Sequence, residues 1–367
     1  MSRIDNRVLR SKLRLTDLPQ SKWWGLLIRF IKTVEGLLFW LAQAFSIYRP
    51  RKSIIGIPSL ATRNYTSIQA IVYNGTQEEV LGFRPRRLMH RILRGLPDVE
   101  MFERIRFQLA VSEYSLKTVE ASTETRGFIH LQVPWQLPWK APRKSYLRMS
   151  PIGVETLVGK IRLGDYDVYS CPIFFLTEQV RWVVVSDIDD TIKESNIAQT
   201  TSFRSIVRSI FRGNYYTYKA IDGMAELYQS ISAQGGLVVY LTSTPYQLAP
   251  FLLKFLRDAG FPEGPVFLRW LGIKRFGHKW RMLHRILSNL DNQRVILIGD
   301  SGEQDLQIYR RLCDTDAFRE KIEKVLIRHV PGTRIPTLVD ARESLYSNLD
   351  ELRAYLAPVL AEAEPKN

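Results

Sequence analysis

A chain of 367 residues is longer than one ordinary core needs, so two domains are expected, and a 45% hydrophobic content is enough to fill them. Its two cysteines, Cys171 and Cys313, lie far apart and match no metal-ligand spacing, which favours a reducing, cytosolic setting over a disulfide-built secreted one. A formal net charge of +15 calls for an anionic partner, either nucleic acid or an acidic membrane surface.

Much of this charge lies in a leader, residues 1–52, where 11 Lys/Arg face 3 Asp/Glu. Inside it, Trp23–Tyr48 (WWGLLIRFIKTVEGLLFWLAQAFSIY) has a longest uncharged run of 13 residues, Gly36–Tyr48. A spanning helix needs about 18. Arg29, Lys32 and Glu35 fit a signal peptide poorly. On a helical wheel Gly25, Arg29, Lys32, Gly36, Gln43 and Ser46 share one narrow stripe and nearly everything else is apolar. The pattern predicts a helix lying in a membrane interface; packing against the protein's own second domain is the alternative. No zinc-finger or RNA-binding signature accompanies the charge, so no nucleic-acid partner is expected, and no obligate protein partner is evident.

Residues 53–178 change to a period of two. Ile105, Phe107, Leu109 and Val111 alternate with more polar neighbours, as do Ile129, Leu131 and Val133. Further runs at Ser67–Tyr73, Glu155–Leu163 and Asp167–Phe175 are separated by Gly, Asn and Pro turns. A small antiparallel, sandwich-like β domain is predicted. Its loop Pro134–Lys144 (PWQLPWKAPRK) mixes Trp135 and Trp139 with Lys140, Arg143 and Lys144, suited to a headgroup layer or to an interdomain linker.

From 179 to 335, apolar runs Trp182–Val185, Leu237–Leu241, Val295–Ile298 and Val325–Ile327 alternate with helical stretches. These are Gly223–Ala233, Tyr246–Ala259, which Gly260 would cap, Lys279–Leu290 and Asp305–Phe318. A C-terminal helix and tail, 336–367, follows. Alternation of this kind predicts a three-layer α/β domain, a parallel sheet with helices on both faces, whose ligand sits at the carboxyl ends of the strands.

Polar residues stand at those ends. Asp187-Ile188-Asp189-Asp190-Thr191 follows the first run and Thr242-Ser243-Thr244 the second. Gly277-His278-Lys279 opens a helix, and Gly299-Asp300-Ser301-Gly302-Glu303-Gln304-Asp305 closes the third run. Several carboxylates on one edge repel unless a hard cation joins them, and oxygen ligands without His or Cys favour Mg²⁺ over zinc. A carboxylate can attack phosphorus to form an aspartyl-phosphate while a lysine and a hydroxyl hold the phosphoryl oxygens. As rivals, an Asx turn accounts for the acids alone, and a calcium loop lacks its glycine and distal glutamate.

Those four motifs in order are those of the haloacid dehalogenase superfamily. The wording "DIDDTIKESNI", "LTSTPYQL", "GHKWRMLHRIL" and "LIGDSGEQDLQIY" resembles the actin-patch-associated phosphatidate phosphatases, Mg²⁺-dependent enzymes similar to the lipins in their catalytic half. The resemblance is firm over roughly Val180–Val330, and the leader lies outside it. It implies a Rossmann-like phosphatase domain hydrolysing phosphatidic acid. Asp187 would be the nucleophile and Asp189 the acid and then base, in surroundings that favour its protonation. Thr242, or a neighbour among Ser243 and Thr244, and Lys279, with Lys274 as its competitor, would hold the phosphoryl group. Asp187, Asp300 and the backbone of Asp189 would ligate Mg²⁺, with Asp305 orienting them or capping the next helix. Asp190 carries no direct role. Arg204, Arg208 and Arg212 on one helical face, and Arg269, Lys274, Arg275 and His278 beside Lys279, add positive charge that agrees with the leader in favouring a lipid. A phosphatidate phosphatase bound peripherally to membranes in the cytoplasm is the expectation; another phosphomonoester, or a non-catalytic phosphatidic-acid module, are the rivals.

Overall fold

The computed structural model describes residues 52–62, 66–74, 104–111, 114–122, 128–133, 144–155, 161–162, 169–177, 179–194, 218–269 and 275–361. The predicted leader helix, almost all of the loop Pro134–Lys144, the arginine face at Arg204, Arg208 and Arg212, and Lys274 lie outside them.

The first nine strands form one hydrogen-bonded set: β1 (Lys52–Ile57), β2 (Ser59–Ala61), β3 (Thr66–Asn74), β4 (Arg104–Val111), β5 (Tyr114–Ser122), β6 (Phe128–Val133), β7 (Lys144–Glu155), β8 (Ile161–Arg162) and β9 (Tyr169–Phe175). Their order is β1-β3-β2-β9-β7-β4-β5, with β6 on β3 and β8 on β7. Pairing is antiparallel except between β2 and β9, which run parallel with Ser59 opposite Ile173. The predicted strand Glu155–Leu163 is instead a reversal: β7 ends at Glu155, which pairs with Ile161 of β8. Alternation alone does not register a turn placed between two apolar residues.

The second sheet has six parallel strands in the order β14-β13-β10-β15-β16-β17. These are β10 (Trp182–Ser186), β13 (Leu237–Pro245), β14 (Val266–Arg269), β15 (Arg294–Asp300), β16 (Ile322–Arg328) and β17 (Glu343–Tyr346); a short hairpin, β11 (Lys193–Glu194) with β12 (Lys219–Ala220), stands apart. Successive side chains point to opposite faces, and here both faces are apolar. Val184, Val238, Tyr240, Ile296 and Leu326 join one cluster; Val183, Val185, Val239, Leu297 and Val325 join the other. That is why the runs read as continuous valine and isoleucine.

Helices α1 (Met224–Ala233), α2 (Ala249–Asp258) and α6 (Leu349–Ala361) cover the first face with Tyr228, Ile231, Phe255 and Leu356. The second is covered by α3 (Arg275–Ser288) and α4 (Asp305–Cys313), through Leu283, Leu287, Tyr309 and Leu312. Burying each such side chain contributes about 1.5–3 kcal/mol. Two predicted helices are shorter than expected. Tyr246–Leu248 forms a 3-10 turn before α2, and Asp305–Phe318 breaks after Cys313, with α5 (Asp316–Arg319) following. Gly260 sits at φ +77 just past α2, the left-handed end that a side chain would strain.

The two sheets touch. The Val266 amide donates to the Pro58 carbonyl (2.9 Å), Gln69 Nε2 donates to the Val266 carbonyl (3.1 Å), and Ile55, Ile57 and Ile71 enter the first α/β cluster. Among the described residues no helix is long and apolar enough to cross a membrane.

Candidate active site

Strand β10 lies inside its sheet, between β13 and β15, where the strand order reverses; such a point opens a crevice at the carboxyl ends. The Asp187 amide extends the ladder to the Ile298 carbonyl (2.9 Å). Beyond it the chain turns sharply around Ile188, whose carbonyl accepts the amides of Thr191, Ile192 and Lys193 (3.3, 3.1 and 3.0 Å). Ile188 and Ile192 are fully buried and hold the turn in the core, leaving Asp187 and Asp189 to project elsewhere. Asp190 is the one non-glycine residue with positive φ (+55) among the described residues. Its amide donates to the Lys193 carbonyl (2.9 Å) and its own carbonyl accepts Arg328 Nη1 (2.8 Å). Assigned no role from sequence, it forms the bend of the loop.

Around Lys279, from α3, the acids gather. Its ammonium is 2.8 Å from Asp187, 2.6 Å from Asp305 and 3.0 Å from Glu303. Asp300 Oδ1 accepts the amides of Gly302 (2.6 Å) and Glu303 (3.0 Å). Gly299 is required here, since a Cβ would come within 2.5 Å of Asp305 Oδ2. Burial drives the carboxyl of Asp187 well above its ordinary range, with Lys279 opposing and Asp305, Glu303 and Asp300 reinforcing. Burial and Asp305 push Asp300 up to about 8, and burial also raises Asp305 against the pull of Lys279. Lys279 loses by burial but gains more from Asp187, Asp305 and Glu303, so it stays firmly charged.

Two oxygens in this group are orphaned: Asp300 Oδ2 and Asp305 Oδ2 are buried and receive no hydrogen bond, while Asp187 Oδ1 has the Lys279 ammonium at 2.8 Å. Ligand atoms of Asp187, Asp300 and Asp305 all lie within 4.8 Å of one another. An all-oxygen, buried, under-satisfied set of this kind fits a hard divalent cation. Asp305 therefore stands within the candidate metal group. It is also the first residue of α4 rather than its cap, since Gln304 occupies the cap position.

Asp189 meets opposite surroundings. Lys193 forms an ion pair with its Oδ1, while the hydroxyls of Thr242 (3.1 Å) and Thr244 (3.0 Å) donate to its Oδ2. Burial raises its carboxyl, but Lys193 and the two threonines outweigh that and hold it at about 2. The expected protonation is thus overturned: three donors converge on the charged form. Lys193 is itself buried and stacks over Tyr218 (4.1 Å to the ring centre). Of the three adjacent hydroxyls, Ser243 turns away, donating to Glu303 (3.1 Å). The carboxylate of Asp189 lies outside the candidate metal group, leaving only its backbone for the expected ligand role.

Sequence reasoning missed Lys193 and Glu303. A lysine two residues beyond the DxDxT motif, next to three acids, was the available signal for the first. Nothing in the local pattern marked Glu303 out from the surrounding turn. Arg269 donates to the Ser243 carbonyl (2.8 Å), which steadies the strand end.

Residues 182–329 match the family model described as "Phosphatidate phosphatase APP1, catalytic domain". Phosphatidate phosphatase APP1 of Saccharomyces cerevisiae is 31% identical over 135 residues, covering 34% of this chain and 22% of the relative. An uncharacterized protein of Schizosaccharomyces pombe is 28% identical over 155 residues, covering 40% and 25%. The chain spans about a quarter or less of the length of these relatives. Among solved structures, a phosphoserine phosphatase from T. onnurineus aligns at 15% identity and a TM-score of 0.33, over 49% of this chain and 96% of the other, too loosely to bear on the assignment. On the sequence match, residues 182–329 are similar to the catalytic domain of phosphatidate phosphatase APP1.

Proposed function

We propose that this chain is a Mg²⁺-dependent phosphatidate phosphatase, bound peripherally at a cytoplasmic membrane surface, that releases diacylglycerol and phosphate through an aspartyl-phosphate. The observation that carries the reading is the placing of Asp187 between Lys279 and the orphaned oxygens of Asp300 and Asp305, at a buried strand end. Asp187, Asp300 and Asp305 would hold the cation, which when bound supplies positive charge to a phosphoryl group and lowers the proton affinity of the three carboxyls.

The rest is work for side chains. Asp187 attacks phosphorus, the bond from phosphorus to the glyceryl oxygen breaks, and that oxygen takes a proton from Asp189. Water then attacks the aspartyl-phosphate and gives its proton to Asp189, freeing Asp187; that proton leaves with the phosphate and returns Asp189 to its resting anion. Lys279 faces the growing negative charge on the phosphoryl oxygens. With Asp189 held as its anion, the resting site is ready for the second step. The proton for the first would arrive with the substrate, whose phosphomonoester has a second pKa of about 6. Presence of both Asp187 and Asp189 weighs against a non-catalytic binding module.

Phosphate release from phosphatidic acid in mixed micelles, with and without Mg²⁺, tests this for the wild type and Asp187→Asn. Release that needs Mg²⁺ and falls to background in the variant is expected. Equal activity in the two proteins would sink the nucleophile, and activity confined to soluble phosphomonoesters would move the substrate to that class.

A further inference from the structure

A lysine ammonium has three N–H donors and no more. Around Lys279 stand three acids, Asp187 at 2.8 Å, Asp305 at 2.6 Å and Glu303 at 3.0 Å. A phosphoryl oxygen held by Lys279 therefore has to take the place of one of them. Asp187 and Asp305 are poorly placed to yield. Their side chains are 1% and 0% exposed, the Asp187 amide is bonded into the ladder with Ile298, and Asp305 opens α4 against Gly299. The Glu303 side chain is 19% exposed and stands on the turn between β15 and α4.

Backbone and side chain of Glu303 are held differently. Its amide donates to Asp300 Oδ1 (3.0 Å), which fixes the turn, while its side chain reaches across to β13. A single oxygen, Oε2, receives both the Lys279 ammonium and the Ser243 hydroxyl, which donates from 3.1 Å. An ammonium and a strand-end hydroxyl converging on one anionic oxygen are the donors that a phosphoryl oxygen needs. Ser243 is the hydroxyl of its trio that is left for this, since Thr242 and Thr244 both donate to Asp189. Energetics require a substitute of this kind. A buried ammonium deprived of a partner is strongly destabilising, so at Lys279 one anion has to be exchanged for another.

We propose that Glu303 is a placeholder: its carboxylate keeps the seat of one phosphoryl oxygen between Lys279 and Ser243, and the arriving phosphoryl group displaces it. This rests on the phosphomonoester reading above and adds a residue that sets how tightly the site takes substrate and how readily it gives up phosphate. Glu303 swings toward solvent about its own side-chain bonds while the Asp300 turn stays in place. Lys279 remains paired throughout. The seat is open only in the fraction of molecules whose Glu303 has swung out, so every phosphoryl ligand binds more weakly than its contacts alone dictate. At the end of a turnover the same competition favours the departure of phosphate.

The test uses the full chain with Mg²⁺ and two variants: Glu303→Ala, which empties the seat, and Glu303→Gln, which keeps the shape and loosens the hold on Lys279. Calorimetric titration with inorganic phosphate reads binding, and hydrolysis of phosphatidic acid in mixed micelles, with phosphate as inhibitor, reads KM and release. Phosphate is expected to bind about ten-fold tighter to Glu303→Ala, and tighter to Glu303→Gln as well, with KM for phosphatidic acid falling in step. Unchanged phosphate binding in Glu303→Ala overturns the placeholder. Weaker binding overturns it too, since Glu303 would then steady Lys279 or touch the ligand. No phosphate binding by any of the three proteins removes it together with the phosphatase reading. Tighter phosphate binding in the variants, with a wild type that releases nothing from phosphatidic acid, upholds the placeholder and refutes the lipid substrate.

Discussion

At the end of β10 two carboxylates, two residues apart, meet opposite halves of one crevice. On the Asp187 side four acids share one lysine, so burial and mutual repulsion raise the proton affinity of Asp187, Asp300 and Asp305. On the Asp189 side one acid takes three donors, and its carboxyl sits at about 2. The first half is incomplete without added positive charge; the second is already neutralised. Environments that push neighbouring carboxyls apart divide labour between them. On the proposed mechanism this division would put a nucleophile and cation cradle on one wall and a proton carrier on the other.

The strongest way to break this contrast is Lys279→Met, which strips the acidic half of its ammonium. Activity should fall on the order of a hundred- to a thousand-fold. Thermal unfolding should also become markedly more Mg²⁺-dependent; a variant that melts identically with Mg²⁺ and with chelator would contradict the crowding argument.

Next comes Lys193→Met, aimed at the other half. Losing its ion pair, Asp189 should rise from about 2 toward the ordinary carboxylate range or above. The acid limb of kcat/KM against pH, out of reach in the wild type for this group, should then move into the measurable range, with Lys193→Arg restoring most of the shift. Identical pH profiles for wild type and Lys193→Met would remove Lys193 from the proton chemistry.

A smaller effect follows from pH alone. Asp300 sits at about 8 when folded against an ordinary 3.8, so between these values the folded protein keeps a proton that the unfolded chain has lost. Without divalent cation, its contribution is fully present below the unfolded value and fades as pH rises toward 8. A divalent cation competes with protons for carboxylates, so on the proposed reading Mg²⁺ should raise the melting temperature more near pH 8 than near pH 5. Equal Mg²⁺ shifts at both pH values would argue that the acidic half does not hold the ion.

Thr244→Val is the mildest change. It removes one of two hydroxyls on Asp189 Oδ2 and leaves Thr242 in place. Because Thr242 still donates to the same oxygen, only a several-fold loss of kcat with little change in KM is expected. A rise in KM instead would assign Thr244 to the phosphoryl group.

How much of this could be read from the sequence depended on the kind of sheet. In the parallel sheet, apolar runs buried on both faces located β10, β13, β15 and β16, and the candidate acids and hydroxyls stood at the ends of the first three. Parallel strands deliver all their carboxyl ends to one edge, so local motifs converge without further information. Strand β14, Val266–Arg269, and β17, Glu343–Tyr346, were too short to stand out. In the first sheet, alternation found β3, β4, β6 and β9, but partners there are fixed by turns, so the reversal at Glu155 and the parallel match of β2 with β9 were not visible. Within the site, the identity of the acids was legible and their proton affinities were not. The expectation of a protonated Asp189 failed because Lys193 folds back onto it, a contact set by the bend at Asp190 that spacing cannot reveal.

The position of β10 has a consequence for how the protein comes together. Val183 pairs with Leu237 on one side and Val295 on the other, so the strand that carries Asp187 finds its neighbours only after two long loops have closed. Contacts of such long sequence separation are slow to form, because closure entropy must be met before any pairing rewards it. The crevice is therefore assembled from pieces delivered at widely different times during synthesis, and recovery of catalysis on refolding should trail the recovery of helical signal.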